Sequence, residues 1–133
     1  MSVRYLLDTN TASYVIKGNF PRVRERLTRL AMSEVGISTV TEAELRFGAE
    51  RLPSAARLRL AITEFMEAIR VLPWDSPAAE QYACLRTALE RSGTPVGNLD
   101  LMIAAHALAI KAVLVTHDRV FRHVKGLNTE DWT

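Results

Sequence analysis

The sequence is poor in the residues that cross-link a chain or carry it through a membrane. It has one cysteine, Cys84, among 133 residues. No intrachain disulfide can form, and a cysteine-based zinc site is nearly excluded. Cys84 is expected to be a small core residue. Six Gly and five Pro are too few for a collagen-like or linker-like chain. The most apolar run, Leu99 to Ile110, carries Asp100 and His106. It falls short of the ~20 residues that a spanning helix needs. The stretch from Met1 to Leu7 is too short for a signal-peptide core and runs into Asp8. A cytoplasmic protein without a membrane partner is expected. Lysine is scarce too: Lys17, Lys111 and Lys125 stand against 14 Arg. Arg presents a planar fork of donors suited to phosphate and carboxylate, although a G+C-rich genome would give the same bias. The formal net charge is only +2, well short of a histone-like protein.

The remaining composition, 48% hydrophobic and 24% charged, suffices for one compact domain over residues 1–133. Val3–Leu7 reads as a short strand ending at Asp8. Thr11–Ile16 can form a helix that Gly18-Asn19 ends. Pro21 opens a second helix over Arg22–Met32, with Val23, Leu27, Leu30 and Ala31 at helical spacing and Arg22, Arg26 and Arg29 on another face. Val35–Val40 is β-branched and short, so a strand is expected. Thr41 followed by Glu44 fits a capping box for a helix to about Glu50. Pro53-Ser54 precedes a long helix to about Ala68, with Leu58, Ile62, Phe65, Met66 and Ile69 facing inward. Ile69–Leu72 is a third strand. Ser76-Pro77 starts a helix to about Arg91 that buries Tyr82, Leu85 and Leu89. Asn98 would cap the apolar helix Leu99–Ile110. Ala112–Val115 is a fourth strand, followed by a brief helix near Arg119–His123 and a last strand near Leu127. The alternation predicts an α/β fold with a central, mostly parallel sheet of four to five strands and helices on both faces.

In such sheets the working groups lie beyond the carboxyl ends of the strands. Four acids fall there. Asp8 follows the first strand, Glu44 follows the second, Asp100 opens the apolar helix, and Asp118 follows the fourth strand. Taken singly, a helix cap accounts for Glu44, Asp100 and Asp118, whereas Asp8 is the exception that a turn role does not account for as well. Crowded at one edge, carboxylates repel and raise each other's pKa. A central cation removes that penalty, and oxygen-only ligands suit Mg²⁺ or Mn²⁺. Two such ions ~3.5–4 Å apart can stabilise the attacking and leaving oxygens of phosphodiester cleavage. Asn10, Thr9, Thr116 and Ser38 could orient the acids by hydrogen bonds. Arg46, in the helix of Glu44, is the candidate for gripping RNA phosphate. His106 on its apolar helix is expected to be packed, His117 to be a loop residue, Trp74 to pack at a strand end and Trp132 to anchor the tail.

The segments Leu6-Leu7-Asp8-Thr9-Asn10, Ile37-Ser38-Thr39-Val40-Thr41 and Glu44-Leu45-Arg46-Phe47-Gly48 come in a distinctive order. Pro95-Val96-Gly97-Asn98-Leu99-Asp100, Met102-Ile103-Ala104-Ala105-His106-Ala107 and Val115-Thr116-His117-Asp118 follow, with Thr129-Glu130-Asp131-Trp132 at the close. Over nearly the whole chain this resembles the PIN-domain ribonuclease toxins of the VapC family, in their enteric-type branch. The resemblance implies a three-layer α/β/α PIN domain and a metal-dependent endoribonuclease. It implies the toxin of a type II toxin–antitoxin pair, cutting structured RNA, with the anticodon stem-loop of initiator tRNA as substrate. It further implies a homodimer, a VapB-type antitoxin whose C-terminal arm covers the site, and a higher assembly of the two. Asp8, Glu44, Asp100 and Asp118 match the family's acidic quartet as catalytic and metal-binding residues. One departure is Val120, where relatives often carry an acid before the Phe of the closing motif.

Other functions fit less well. A receiver-type phosphoacceptor switch resembles this chain in size and alternation, but needs an acidic pair after the first strand and a Lys after the last. Here Asp8 leads into Thr9-Asn10, and no Lys occupies that position. A haloacid-type phosphatase needs Asp-x-Asp. A non-catalytic module of the same fold would have no use for an intact quartet.

Overall fold

A computed structural model describes residues 2–133. Met1, where the first apolar stretch begins, lies outside them. Five strands and six helices follow one another: β1 (Tyr5–Leu7), α1 (Thr9–Lys17), α2 (Pro21–Thr28), β2 (Val35–Ser38), α3 (Thr39–Glu50), α4 (Ala56–Ala68), β3 (Arg70–Leu72), α5 (Ser76–Ser92), α6 (Asn98–Ile110), β4 (Val113–Val115) and β5 (Thr129–Glu130). Single 3-10 segments occupy Met32–Glu34 and Arg119–His123. The sheet order is β3-β2-β1-β4-β5, and every pairing is parallel.

Strand alternation sorts the core into two halves. Tyr5 and Leu7 of β1 pack with Val35, Ile37 and Val115 beneath residues of α1 to α4, among them Ala12, Val23, Leu45, Ile62 and Phe65. Leu6 and Leu114 point the other way, against Ile103, Ala104 and Ala107 of α6, Phe121, and the half-buried Leu85 of α5. Helices therefore cover both faces, giving the expected three-layer α/β/α arrangement with β1 at its centre. A fully apolar central strand follows from burial on both sides. Gly36 of β2 permits the tight pairing with β3, since a Cβ there would lie 2.9 Å from the Arg70 carbonyl oxygen.

Several boundaries differ from the expectation, and the caps explain most of them. Asp8 caps α1, accepting from the Thr11 N–H, so that helix begins at Thr9. Ser38 ends β2 and caps α3 by accepting from the Val40 N–H. Thr41 is therefore inside the helix and buried, and Glu44 lies in its second turn rather than in a capping box. Asp75, not Ser76, caps α5. Gly97, not Asn98, precedes α6, and no side chain caps that helix or α4. Helix α2 stops at Thr28, and after an extended Ala31 a separate 3-10 segment covers Met32–Glu34. The last strand pairs at Thr129–Glu130 rather than near Leu127. Cys84 is exposed on α5 and is not a core residue. Leu89 of α5 is buried, whereas Tyr82 and Leu85 are half-buried, because α5 has one face in solvent.

Leu6 is fully buried in the central strand. Leu6→Ala should lower the unfolding free energy by about 2–5 kcal/mol, read from urea denaturation. A loss under ~1 kcal/mol would contradict the packing described.

Candidate active site

Three strands of the sheet end in polar groups at one edge, and those that follow β1 and β4 touch each other. Asp8 follows β1, Ser38 closes β2 and Thr116 follows β4. The Asp8 carboxylate is buried and held from two sides: Oδ1 accepts from the Thr11 N–H at 2.8 Å, and Oδ2 accepts from the Thr116 hydroxyl at 2.6 Å. Thr116 Oγ1 in turn accepts from the Asp118 N–H at 3.0 Å, which ties the β4 loop to Asp8. Asp118 Oδ1 accepts from the Val120 N–H at 2.9 Å and caps the 3-10 segment there. Thr9 donates its hydroxyl to Glu44 Oε1 at 2.6 Å and lies 3.4 Å from the Thr41 hydroxyl. Asp100 sits in the first turn of α6, half-buried.

The charges of Asp8, Glu44 and Asp118 all act on Asp100. Burial pushes the Asp100 carboxyl above the usual range, and the charges of Asp118, Glu44 and Asp8 push it further. Burial likewise raises Asp8, with Asp118 adding to it, against the hydrogen bonds from Thr116 and Thr11 that favour the ionised form. The donor set is all oxygen and all acidic, so it fits a hard divalent cation in chemistry and in charge. The fit does not extend to coordination distance: among the described residues, no three His, Cys, Asp or Glu side chains are gathered closely enough to hold one ion.

The other expected residues divide. Asn10 is exposed and lines a hollow of about 240 Å³ with Thr9, Glu44 and Arg51. Ser38 turns its hydroxyl to His106 Nδ1 at 2.8 Å, away from the acids. His106 is buried, and burial holds its pKa below the usual value against the opposing charge of Asp75. Trp74 packs at the end of β3 and donates its indole N–H to the Met102 carbonyl. Trp132 is buried against Tyr5. Arg46 donates to Glu42 at 2.8 Å and borders a separate hollow with Glu50 and Arg59. A spacing of two residues turns it about 200° around the helix from Glu44.

Lys17 and Arg51 are basic residues beside Glu44 that sequence reasoning missed, and Arg51 is the one that also borders a second hollow. It lines the small hollow beside Glu44 and also a larger one of about 720 Å³, walled by Phe47, Trp74, Leu99 and Met102. Its guanidinium lies 5.0 Å from the Phe47 ring centroid. The available signal was its position seven residues, two helical turns, after Glu44.

The pattern of the PIN domain matches residues 5–127. The tRNA(fMet)-specific endonuclease VapC of Shigella flexneri is 40% identical over 132 residues, covering 98% of this chain and 99% of the relative. The chain belongs to the PIN-domain family, in its VapC branch. Solved VapC structures superpose closely. A chain of DNA-bound VapBC from Salmonella typhimurium shares 38% identity and a TM-score of 0.93, covering 98% of this chain and 99% of that one. A chain of VapBC2 from Rickettsia felis, bound to a promoter DNA fragment, shares 30% identity and a TM-score of 0.92, covering 98% and 100%. PIN-domain nucleases are in general metal-dependent.

In this VapC-family chain, burial first and the neighbouring acids second disfavour the ionised form of Asp100. A carboxyl whose pKa is higher folded than unfolded keeps its proton longer in the folded state. The resulting penalty is absent below the unfolded value of 3.8 and grows as pH rises through the higher folded one. At neutral pH without divalent ions, Asp100→Asn should therefore raise Tm by calorimetry. The gain should shrink in acid. A lower Tm at neutral pH would refute this account of the charges.

Proposed function

We propose that this chain is the toxin of a VapBC type II toxin–antitoxin pair and a divalent-metal-dependent endoribonuclease. Its substrate is structured RNA, with the anticodon stem-loop of initiator tRNA as the target, so that cleavage inhibits translation. The observation that carries the proposal is the placement of Asp8, Glu44, Asp100 and Asp118 at the carboxyl edge of the sheet, where the charges of the other three act on Asp100. The similarity to the Shigella flexneri endonuclease supplies the substrate class.

Asp8, Glu44, Asp100 and Asp118 would hold Mg²⁺ or Mn²⁺. When bound, such an ion lowers the pKa of water and polarises a phosphodiester. The protein's own part is positioning. Thr116 and the Thr11 N–H fix both oxygens of Asp8, so its carboxylate cannot rotate away. Thr9 aims Glu44, and the Val120 N–H aims Asp118. Arg51, beside Glu44, offers a fixed positive charge to a phosphate. The apolar wall of Phe47, Leu99 and Met102 offers a VapB-type antitoxin a surface next to the acids. A homodimer, a larger assembly with antitoxin and a cytoplasmic site of action belong to the same proposal. Among the described residues no helix is long and apolar enough to cross a membrane.

Purified protein should cleave initiator tRNA in Mg²⁺ or Mn²⁺ and stop in excess EDTA. Asp8→Asn should reduce cleavage to background. Activity that persists in EDTA or in Asp8→Asn would overturn the mechanism. Thr116→Val, which leaves the acids intact, should reduce activity or metal affinity about 10–100-fold.

Arg51→Ala should weaken RNA binding and reduce the salt slope of log K by about 1. Arg46→Ala should leave that slope unchanged, because Arg46 is engaged by Glu42. The reverse result would return the phosphate contact to Arg46.

A further inference from the structure

Three aromatic rings meet at the loop between α1 and α2, beside the β4 loop that carries Asp118. Gly18, at φ 76°, ends α1, and Pro21 opens α2. Between them Phe20 adopts φ 51° and ψ 78°, a left-handed conformation that a bulky side chain disfavours. Arg24 braces the loop. Its Nε and Nη2 both donate to the Val15 carbonyl, at 3.0 and 2.7 Å, and its guanidinium lies against Gly18.

The result of this arrangement is the placement of one ring. Phe20 lies 4.6 Å from the Tyr14 ring and 6.4 Å from the His117 ring, centroid to centroid, and stays 44% exposed. A ring serving the core would be buried. His117 is steadied from its other side by Asp131 at 2.7 Å and Thr133 at 3.2 Å. Its chain neighbours are Thr116, which holds Asp8, and Asp118. Helix α2 begins directly after Phe20 and carries the exposed Arg22 in its first turn. An exposed aromatic surface next to an arginine matches an unpaired nucleobase attached to phosphates, since every base has a face to stack and every nucleotide a charge.

We propose that Phe20, with Tyr14 and His117, forms a stacking subsite for one unpaired RNA base next to the cleaved bond. This rests on the ribonuclease reading above. The strained φ of Phe20 serves to hold the ring outward, and Arg22, one turn into α2, takes an adjoining phosphate.

The test uses an initiator-tRNA anticodon stem-loop carrying 2-aminopurine at each loop position in turn. Binding is followed in the Asp8→Asn background, and cleavage in the otherwise wild-type chain. Phe20→Gly removes the ring and accepts the φ, so its circular dichroism and Tm should match the parent or exceed it. It should bind about 5- to 150-fold more weakly, the range of base–aromatic stacking. It should also lose the fluorescence quenching at one loop position. Phe20→Trp should keep that quenching, and His117→Ala should weaken it at the same position. An abasic nucleotide there should weaken wild-type binding by a similar factor and add nothing in Phe20→Gly. Unchanged binding and cleavage by Phe20→Gly, or an equal loss with intact and abasic RNA, would overturn the subsite. Failure of the wild-type chain to cleave the unlabelled stem-loop would instead count against the substrate assigned above.

Discussion

The arrangement depends on one buried carboxylate. Asp8 ends the central strand, caps the first helix through one oxygen, and takes the Thr116 hydroxyl on the other. Burial works against its charge while the hydrogen bonds favour it. A group in that position cannot move without loosening β1, α1 and the β4 loop together. The same bonds that complete the fold at its centre thereby fix the first acid of the site.

The remaining acids are placed around this one by elements of different origin. Asp118 comes with the β4 loop, which Thr116 ties to Asp8. Glu44 comes from α3 and is held by Thr9, the residue directly after Asp8. Asp100 comes from α6 on the opposite face of the sheet and takes the charge of all three. A parallel sheet brings its carboxyl ends to one edge, so groups far apart in sequence share one electrostatic field there. The near-zero net charge of the whole chain hides this separation into an acidic centre and an arginine-bearing exterior.

Much of this was legible in the sequence, for local reasons. Apolar runs ending in Asp8 and Thr116-His117-Asp118 are short-range signals, and so are Pro21 before α2 and the helical spacing of Ile62, Phe65 and Ile69. Helix caps were less legible. Ser38, Thr39 and Thr41 are all competent to cap, and the end of β2 against β3 decides that Ser38 does so. The apolar pattern around Cys84 likewise did not reveal that α5 is only partly covered.

The sequence by itself determined the alternation of strands and helices, the parallel sheet, and the four acids at its carboxyl edge, because period and position after a strand are local properties. Only the tertiary structure decided which way the side chains point. Arg46 and Arg51 belong to the same helix region, yet Arg46 pairs with Glu42 while Arg51, at the end of α3, lies over Phe47 at the hollow that Glu44 lines. Ser38 is drawn to His106 by a helix sixty-eight residues away. The rotation of a helix about its axis is set by what it buries, and that becomes known only when its partners are in place.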